Sequence, residues 1–252
     1  MSSTTRSADL VEQALAASST DDCVVLVTET TQANLRWAHN ALTTNGQMHD
    51  RTLTVMAIRR DSDRASVGVV TRKINSDADV VQVVGAAERA ASTAPPSEDA
   101  MPLPTEGTDQ NFTDLAEATS IEVYADFARD LGEVFTEARS GGISLFGFAE
   151  HLMTTTWLGN SAGIRRRHVQ PTGRLELNAK DPTMKRTAWI GRGTRDFTDI
   201  DLGAMWPALQ QRYDWTERQV DLPAGRYETL LPPSAVADLM IYAHWTSGWR
   251  DA

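Results

Sequence analysis

The chain has 252 residues, 41% of them hydrophobic and 23% charged, enough for one large or two small globular domains and far from the composition of a disordered chain. Its formal net charge of −10 counts against nucleic acid as a default partner, since acidic surfaces and phosphate backbones repel. No apolar run approaches the roughly 18 residues of a membrane helix, and the one cysteine, Cys23, excludes an intramolecular disulfide framework and fits a reducing, cytoplasmic compartment.

Residues 1–6 lead into an amphipathic segment and lack a signal peptide's apolar core. Over residues 8–17, Leu10, Val11, Ala14 and Leu15 share one stripe, which predicts a short helix. The β-rich runs 23–31 and 33–40 suggest a hairpin or meander, and Thr43-Thr44-Asn45-Gly46 signals a tight turn, because Asn-Gly accepts positive φ. Strands are expected at 52–59 and 65–71, joined by Arg60-Asp61-Ser62-Asp63. Residues 77–91 carry Val80, Val81, Val84, Ala87 and Ala91 at helical spacing.

Residues 92–112 break the pattern with Pro95, Pro96, Pro102 and Pro104 among polar residues, reading as a linker or an ordered surface crossing. A helix is predicted over 121–138, stopped by Ser140-Gly141-Gly142. Strand-rich stretches follow at 143–158, 163–170, 173–178 and 187–191, then a helix at 202–213, a strand at 226–231 and an apolar helix at 235–245. Grouped strands without regular βαβ alternation predict an α+β fold of mixed, largely antiparallel sheets with flanking helices. The expected division is an N-terminal domain over 1–92, a Pro-rich linker over 93–120, a strand-rich middle domain over 121–222, and a segment over 223–252 whose apolar helix either docks back on its own domain or opens a further one.

Candidate chemistry is sparse. None of His39, His49, His151, His168 or His244 is followed by Glu, so the two-imidazole helix with a water-activating carboxylate is missing. Cys23 lies inside an apolar run, where an inert buried thiol is the expected state. Neither a Gly-x-Ser-x-Gly elbow nor a Gly-rich phosphate loop is present, and the seven tryptophans, scattered over the elements, read as core or interface. The basic stretch Arg165-Arg166-Arg167-His168, with Arg174 nearby, is the notable polar feature. Strand alternation sends Arg165 and Arg167 to one face and Arg166 and His168 to the other. Arg165, Arg167, His168 and Arg174 are therefore candidates for contacting a peptide carboxylate or a phosphate; the alternative is that they pair with the chain's many acids.

Three segments in this order resemble the TldD/PmbA family, known as modulators of DNA gyrase and as metallopeptidase-related proteins: residues 33–46, beginning Ala33-Asn34-Leu35-Arg36-Trp37; residues 155–173, running from Thr155-Thr156-Trp157-Leu158-Gly159-Asn160 through the arginines to Gly173; and residues 223–239, beginning Pro223-Ala224-Gly225-Arg226-Tyr227. The resemblance implies a two-component cytoplasmic protease, in which a TldD-type subunit carries zinc and a PmbA-type (TldE) subunit pairs with it to process small or unfolded, extended peptides. In the TldD type a His-Glu-x-x-x-His helix holds the metal; the matching positions here are Leu239, Met240 and His244, so only one imidazole remains. The implied role is the non-catalytic PmbA/TldE-type subunit, inactive alone, with no catalytic or metal residue and no cofactor of its own, joined to a TldD-type partner as a hetero-oligomer. The alternative is a gyrase- or nucleic-acid-associated modulator with no peptidase role. The family's chains are longer and continue into a large C-terminal domain, so the resemblance implies that 223–252 is the beginning of that domain, cut short, in either a fragment or a reduced relative.

Overall fold

The computed structural model describes residues 5–74, 78–97 and 100–247. Helix α1 (Ser7–Ala17) precedes strands β1 (Asp22–Ala38), β2 (Ala41–Asp61) and β3 (Arg64–Lys73) and helix α2 (Ala78–Thr93). A 3-10 turn (Ile121–Tyr124) then runs into α3 (Ala125–Ser140), followed by β4 (Ser144–Asn160), β5 (Arg165–Lys180), β6 (Thr187–Thr194), α4 (Leu202–Trp215) and α5 (Pro233–Thr246). The fold is α+β: six strands form one sheet in the order β3-β2-β1-β4-β5-β6, each neighbouring pair antiparallel. The expected start of α2 at Asp77 and the terminal residues 248–252 lie outside the described residues.

Strand β1 is one strand where two were expected. Its period-2 alternation continues unbroken through Thr30, Thr31 and Gln32, so Cys23, Val25, Val27, Ala33, Leu35 and Trp37 all face the same buried side. Both edges of β1 are paired, with β2 and with β4. Strand β5 likewise fuses two expected runs through Pro171 and Thr172. The expected turn at 43–46 is strand, Asn45 opposing Leu35 and Gly46 opposing Asn34. The reversal falls earlier, at His39 and Asn40, with φ of 50° and 60°. Local Asn-Gly chemistry is overridden by tertiary bonds. The Asn40 side chain donates to Ile143 O at 2.8 Å and accepts from Leu145 N–H at 2.6 Å, tying the turn to the start of β4.

The pairing of β1 with β4 corrects the expected split into domains at 1–92 and 121–222, because strands from both stretches share one sheet. The chain divides instead into compact units over 1–217 and 218–252. Among the alternatives for the Pro-rich stretch, the ordered crossing is realised over 100–120. Asn160 Nδ2 donates to Pro104 O at 2.8 Å, and Glu117 and Thr119 donate backbone N–H to Thr155 and Thr31 hydroxyls on the sheet.

Helices α1 to α4 all pack on one side of the sheet, over two apolar clusters. Leu10, Val11 and Ala14 of α1 and Val80, Val84 and Ala87 of α2 cover Val25, Val27, Leu53, Val55 and Trp157. Phe127 and Leu131 of α3 and Leu202, Trp206 and Leu209 of α4 cover Leu35, Trp37, Leu145, Leu175 and Leu177. Each fully buried Leu or Val contributes about 1.5–3 kcal/mol, which makes these clusters the main source of stability. The crossing segment lies on the seam between them. The other side of the sheet presents cross-strand threonine pairs, Thr28 with Thr156, Thr30 with Thr154 and Thr54 with Thr71, hydroxyls 2.8–3.3 Å apart.

In the second unit, α5 starts with Pro233 at its first turn, and none of its side chains is buried. Residues 226–231, expected as a strand, are irregular; among the described residues their own unit offers no strand to pair with.

A sheet-edge groove as the candidate functional site

The arginine stretch is the N-terminal half of β5, and the expected alternation holds. Arg165 and Arg167 face the helices, on the side of Trp157, while Arg166, His168 and Arg174 face the open side. The four candidate residues are thus divided between two faces, and each has a partner. Arg165 makes a bidentate pair with Glu12 of α1 (2.5 and 2.8 Å) and donates to the carbonyls of Asn160 and Ile164. Arg167 donates to Leu115 O at 2.6 Å and lies 5.7 Å from the Trp157 ring centre. His168 bonds Gln170 at 3.3 Å; Arg174 pairs with Glu176 and lies over Phe148. Arg166 binds Asp109 at 2.7 Å. Pairing with acids, carbonyls and aromatic faces accounts for the basic stretch within the chain.

Asp109 does more than neutralise Arg166. Its other oxygen accepts the backbone N–H of Arg167 at 2.9 Å, and these two bonds hold its carboxyl below the usual range. Around it, residues 107–109 run parallel to β5: Arg165 N–H donates to Gly107 O (3.0 Å) and Asp109 N–H to Arg165 O (2.8 Å). This short pairing ends at Arg167. On the same edge, β6 begins to pair only at Gly173, opposite Thr194. Between the two lies a bare stretch of β5.

Two concavities flank that stretch. One, of about 460 Å³, opens on the helix side between the crossing segment and the sheet, with His151, Met153, Val169 and Pro171 as floor and Thr119 and Arg195 on the rim. The other, of about 730 Å³, runs along the edge over residues 168–173 and reaches Thr194 and Asp199. At the base of the first, His151 is 2% exposed. Its Nε2 meets Arg195 O at 2.8 Å and its Nδ1 the Thr119 hydroxyl at 2.6 Å. A carbonyl can only accept, so Nε2 carries the proton and, in the neutral ring, Nδ1 accepts from Thr119. His151 thereby clamps the crossing segment to the loop after β6. Beside it, the Asp196 carboxyl is held low by the Thr198 hydroxyl and backbone N–H, with Arg195 and His151 adding to the effect. Sequence reasoning assigned His151 no role; its partners lie 32 and 44 residues away, and no local pattern marks it.

Two titratable groups elsewhere are structural. Burial pushes the Cys23 thiol up, as suits an inert side chain. Burial does the same to Tyr124, whose hydroxyl donates to Ala33 O at 2.7 Å. Among the described residues no group of three or more His, Cys, Asp or Glu is placed to hold a metal ion. On α5, Leu239 and Met240 precede His244, and one imidazole does not make a zinc site.

Six antiparallel strands in this order, helices on one face and a strap across the seam invite comparison with solved structures. The chain shares its fold with TldE. TldE from Thermococcus kodakarensis superposes with a TM-score of 0.63 at 13% identity, over 83% of this chain and 47% of that one. A candidate modulator of DNA gyrase from Bacteroides thetaiotaomicron gives 0.58 at 10% identity, over 82% and 48%. A candidate modulator of a DNA gyrase from Thermotoga maritima gives 0.50 at 12% identity, over 77% and 43%. The chain therefore spans less than half the length of each. No protein-family model matches the sequence, and no curated protein matches it. No helix among the described residues is long and apolar enough to cross a membrane.

Proposed function

We propose that this chain is a non-catalytic subunit of the PmbA/TldE type, pairing in the cytoplasm with a zinc-bearing TldD-type metallopeptidase subunit and helping to admit small or unfolded peptides in extended form. The observation that carries this reading is the TldE-like fold over 83% of the chain. The side chains agree with a supporting role. The arginines are spent on internal pairs, and α5 carries Leu239 and Met240 where a metallopeptidase helix needs an imidazole and a carboxylate. Zinc and proteolytic chemistry then belong to the partner, and this chain contributes shape and a surface for peptide.

Pairing is tested by mixing the purified chain with a TldD-type subunit and following size-exclusion elution with light scattering. A stable species containing both chains is expected; separate elution at tens of micromolar contradicts the proposal. The second reading, a DNA-associated gyrase modulator, is favoured by the names of two of the similar structures. It requires DNA binding that falls steeply with salt. With net charge −10 and Arg165, Arg166 and Arg167 already engaged, no binding is expected even at low salt.

A further inference from the structure

We infer that the bare edge of β5 between Arg167 and Gly173 is a docking slot for an extended peptide, which adds there as a short strand. This rests on the proposed role in admitting peptides and deepens it by naming where the backbone is read.

The argument begins with backbone direction. Arg165 spends both its N–H and its C=O on the 107–109 segment, so its peptide groups point away from β4. Alternate residues of a strand point the same way, so Arg167, Val169, Pro171 and Gly173 do likewise. Arg167 N–H is taken by Asp109 and Pro171 has no N–H; Pro171 O accepts from Gln170 Nε2 at 2.9 Å, and Gly173 pairs with Thr194. That leaves Val169 N–H, Val169 C=O and Arg167 C=O, to which no hydrogen bond is made among the described residues. Unpaired donors and acceptors side by side on a sheet edge are a template for one more strand.

The edge is open here and closed on both sides of the opening. The slot is capped at one end by Asp109 and at the other by Thr194, a span of six residue steps or about 20 Å, room for a strand of three to five residues. A peptide seated there sends alternate side chains to opposite faces. Inward ones enter the 460 Å³ cavity, against Met153, Val169, Pro171 and Val123, with the His151 ring at the base. Outward ones meet His168, Gln170 and Thr172. The occupant is therefore a short extended peptide alternating a small or medium apolar residue with polar ones. Two notable residues acquire roles. Pro171 cannot donate, which limits the slot to one free N–H and blunts it against another protein's long sheet edge, and His151 keeps the cavity open by pinning its two walls.

The test uses the full chain and a fluorescein-labelled Thr-Val-Thr-Val-Thr-Val peptide. Fluorescence anisotropy should show saturable binding, and amide exchange at Val169 should slow at least tenfold when peptide saturates the slot. Single N-methylation of the peptide backbone should cost at least tenfold in affinity at alternate positions and less than twofold at those between. Val169→Pro, which removes an N–H that β4 does not use, should abolish binding. If that variant does not fold, the methylation pattern and the Val169 exchange rate in the unmodified chain decide. Equal loss at every methylated position, no loss at any, or unchanged exchange at Val169 overturns the inference. Co-elution with a TldD-type subunit is read separately, so loss of the slot and loss of the pairing are distinguishable.

Discussion

The backbone N–H of Arg167 donates to the Asp109 carboxylate at 2.9 Å, at the point on β5 where a neighbouring strand would offer a carbonyl. One side chain thus ends the pairing of the 107–109 segment, neutralises Arg166 and defines one end of the open edge. Asp109→Ala leaves both donors without an acceptor. The expected outcome is local: faster exchange of the Arg165 and Arg167 amides and several-fold faster proteolysis within residues 100–120, the sheet staying intact. A wild-type proteolysis rate in that segment would remove Asp109 as the anchor.

Acid should loosen this anchor and the loops that follow β5 and β6. Asp109 and Asp196 are held below the ordinary carboxylate value of 3.8, and Asp181 falls to about 2 through bonds from the Thr183 hydroxyl and the Arg186 N–H. A carboxyl with a lower pKa folded than unfolded stabilises the fold above its unfolded value and loses that contribution as pH falls through the folded one. Urea midpoints should be flat above about pH 4 as far as these groups are concerned and drop between 3.8 and about 2. Asp181→Asn should shrink the drop; an unchanged acid limb in that variant contradicts the assignment.

Asn40 combines a left-handed backbone with two buried hydrogen bonds to the start of β4. Asn40→Ala strains the turn and strands Leu145 N–H and Ile143 O, a cost on the order of 2–4 kcal/mol. Asn40→Gly removes the same bonds without the φ penalty and should lose less. Urea denaturation of both variants checks the order. Equal losses would mean that backbone strain contributes nothing.

Helix α2 rests on Gly68 of β3, where an added Cβ would collide with the backbone of Ala87 and Ala91. Gly68→Ala should force α2 outward and cost about 1–3 kcal/mol, as overpacking does. Because neighbouring strands stay paired, β2 and β3 amides should remain protected while α2 amides exchange faster. A neutral change in midpoint would place α2 farther from the sheet.

Period and polarity made much of this fold legible in the sequence. The stripe of α1, the α2 stripe apart from Val81, which faces solvent, and the alternation that splits the arginines between faces are local properties, and the structure keeps them. Partners were illegible because they are remote: Glu12 lies 153 residues from Arg165, and Asp109 lies 58 from Arg167. The turn moved from Asn45-Gly46 to His39-Asn40 for a related reason, since the bonds that fix it come from Ile143 and Leu145. The groove was illegible as well: it is an interruption between two pairings of β5, and neither pairing leaves a mark in β5's own residues.

The role as a supporting subunit is tested most directly by peptide hydrolysis with a TldD-type subunit alone, this chain alone, and the two together. The expected result is no turnover by this chain, and turnover by the mixture that exceeds that of the TldD-type subunit alone and stops on chelation of zinc. Chelator-sensitive hydrolysis by this chain in isolation, or a rate indifferent to its presence, would contradict it.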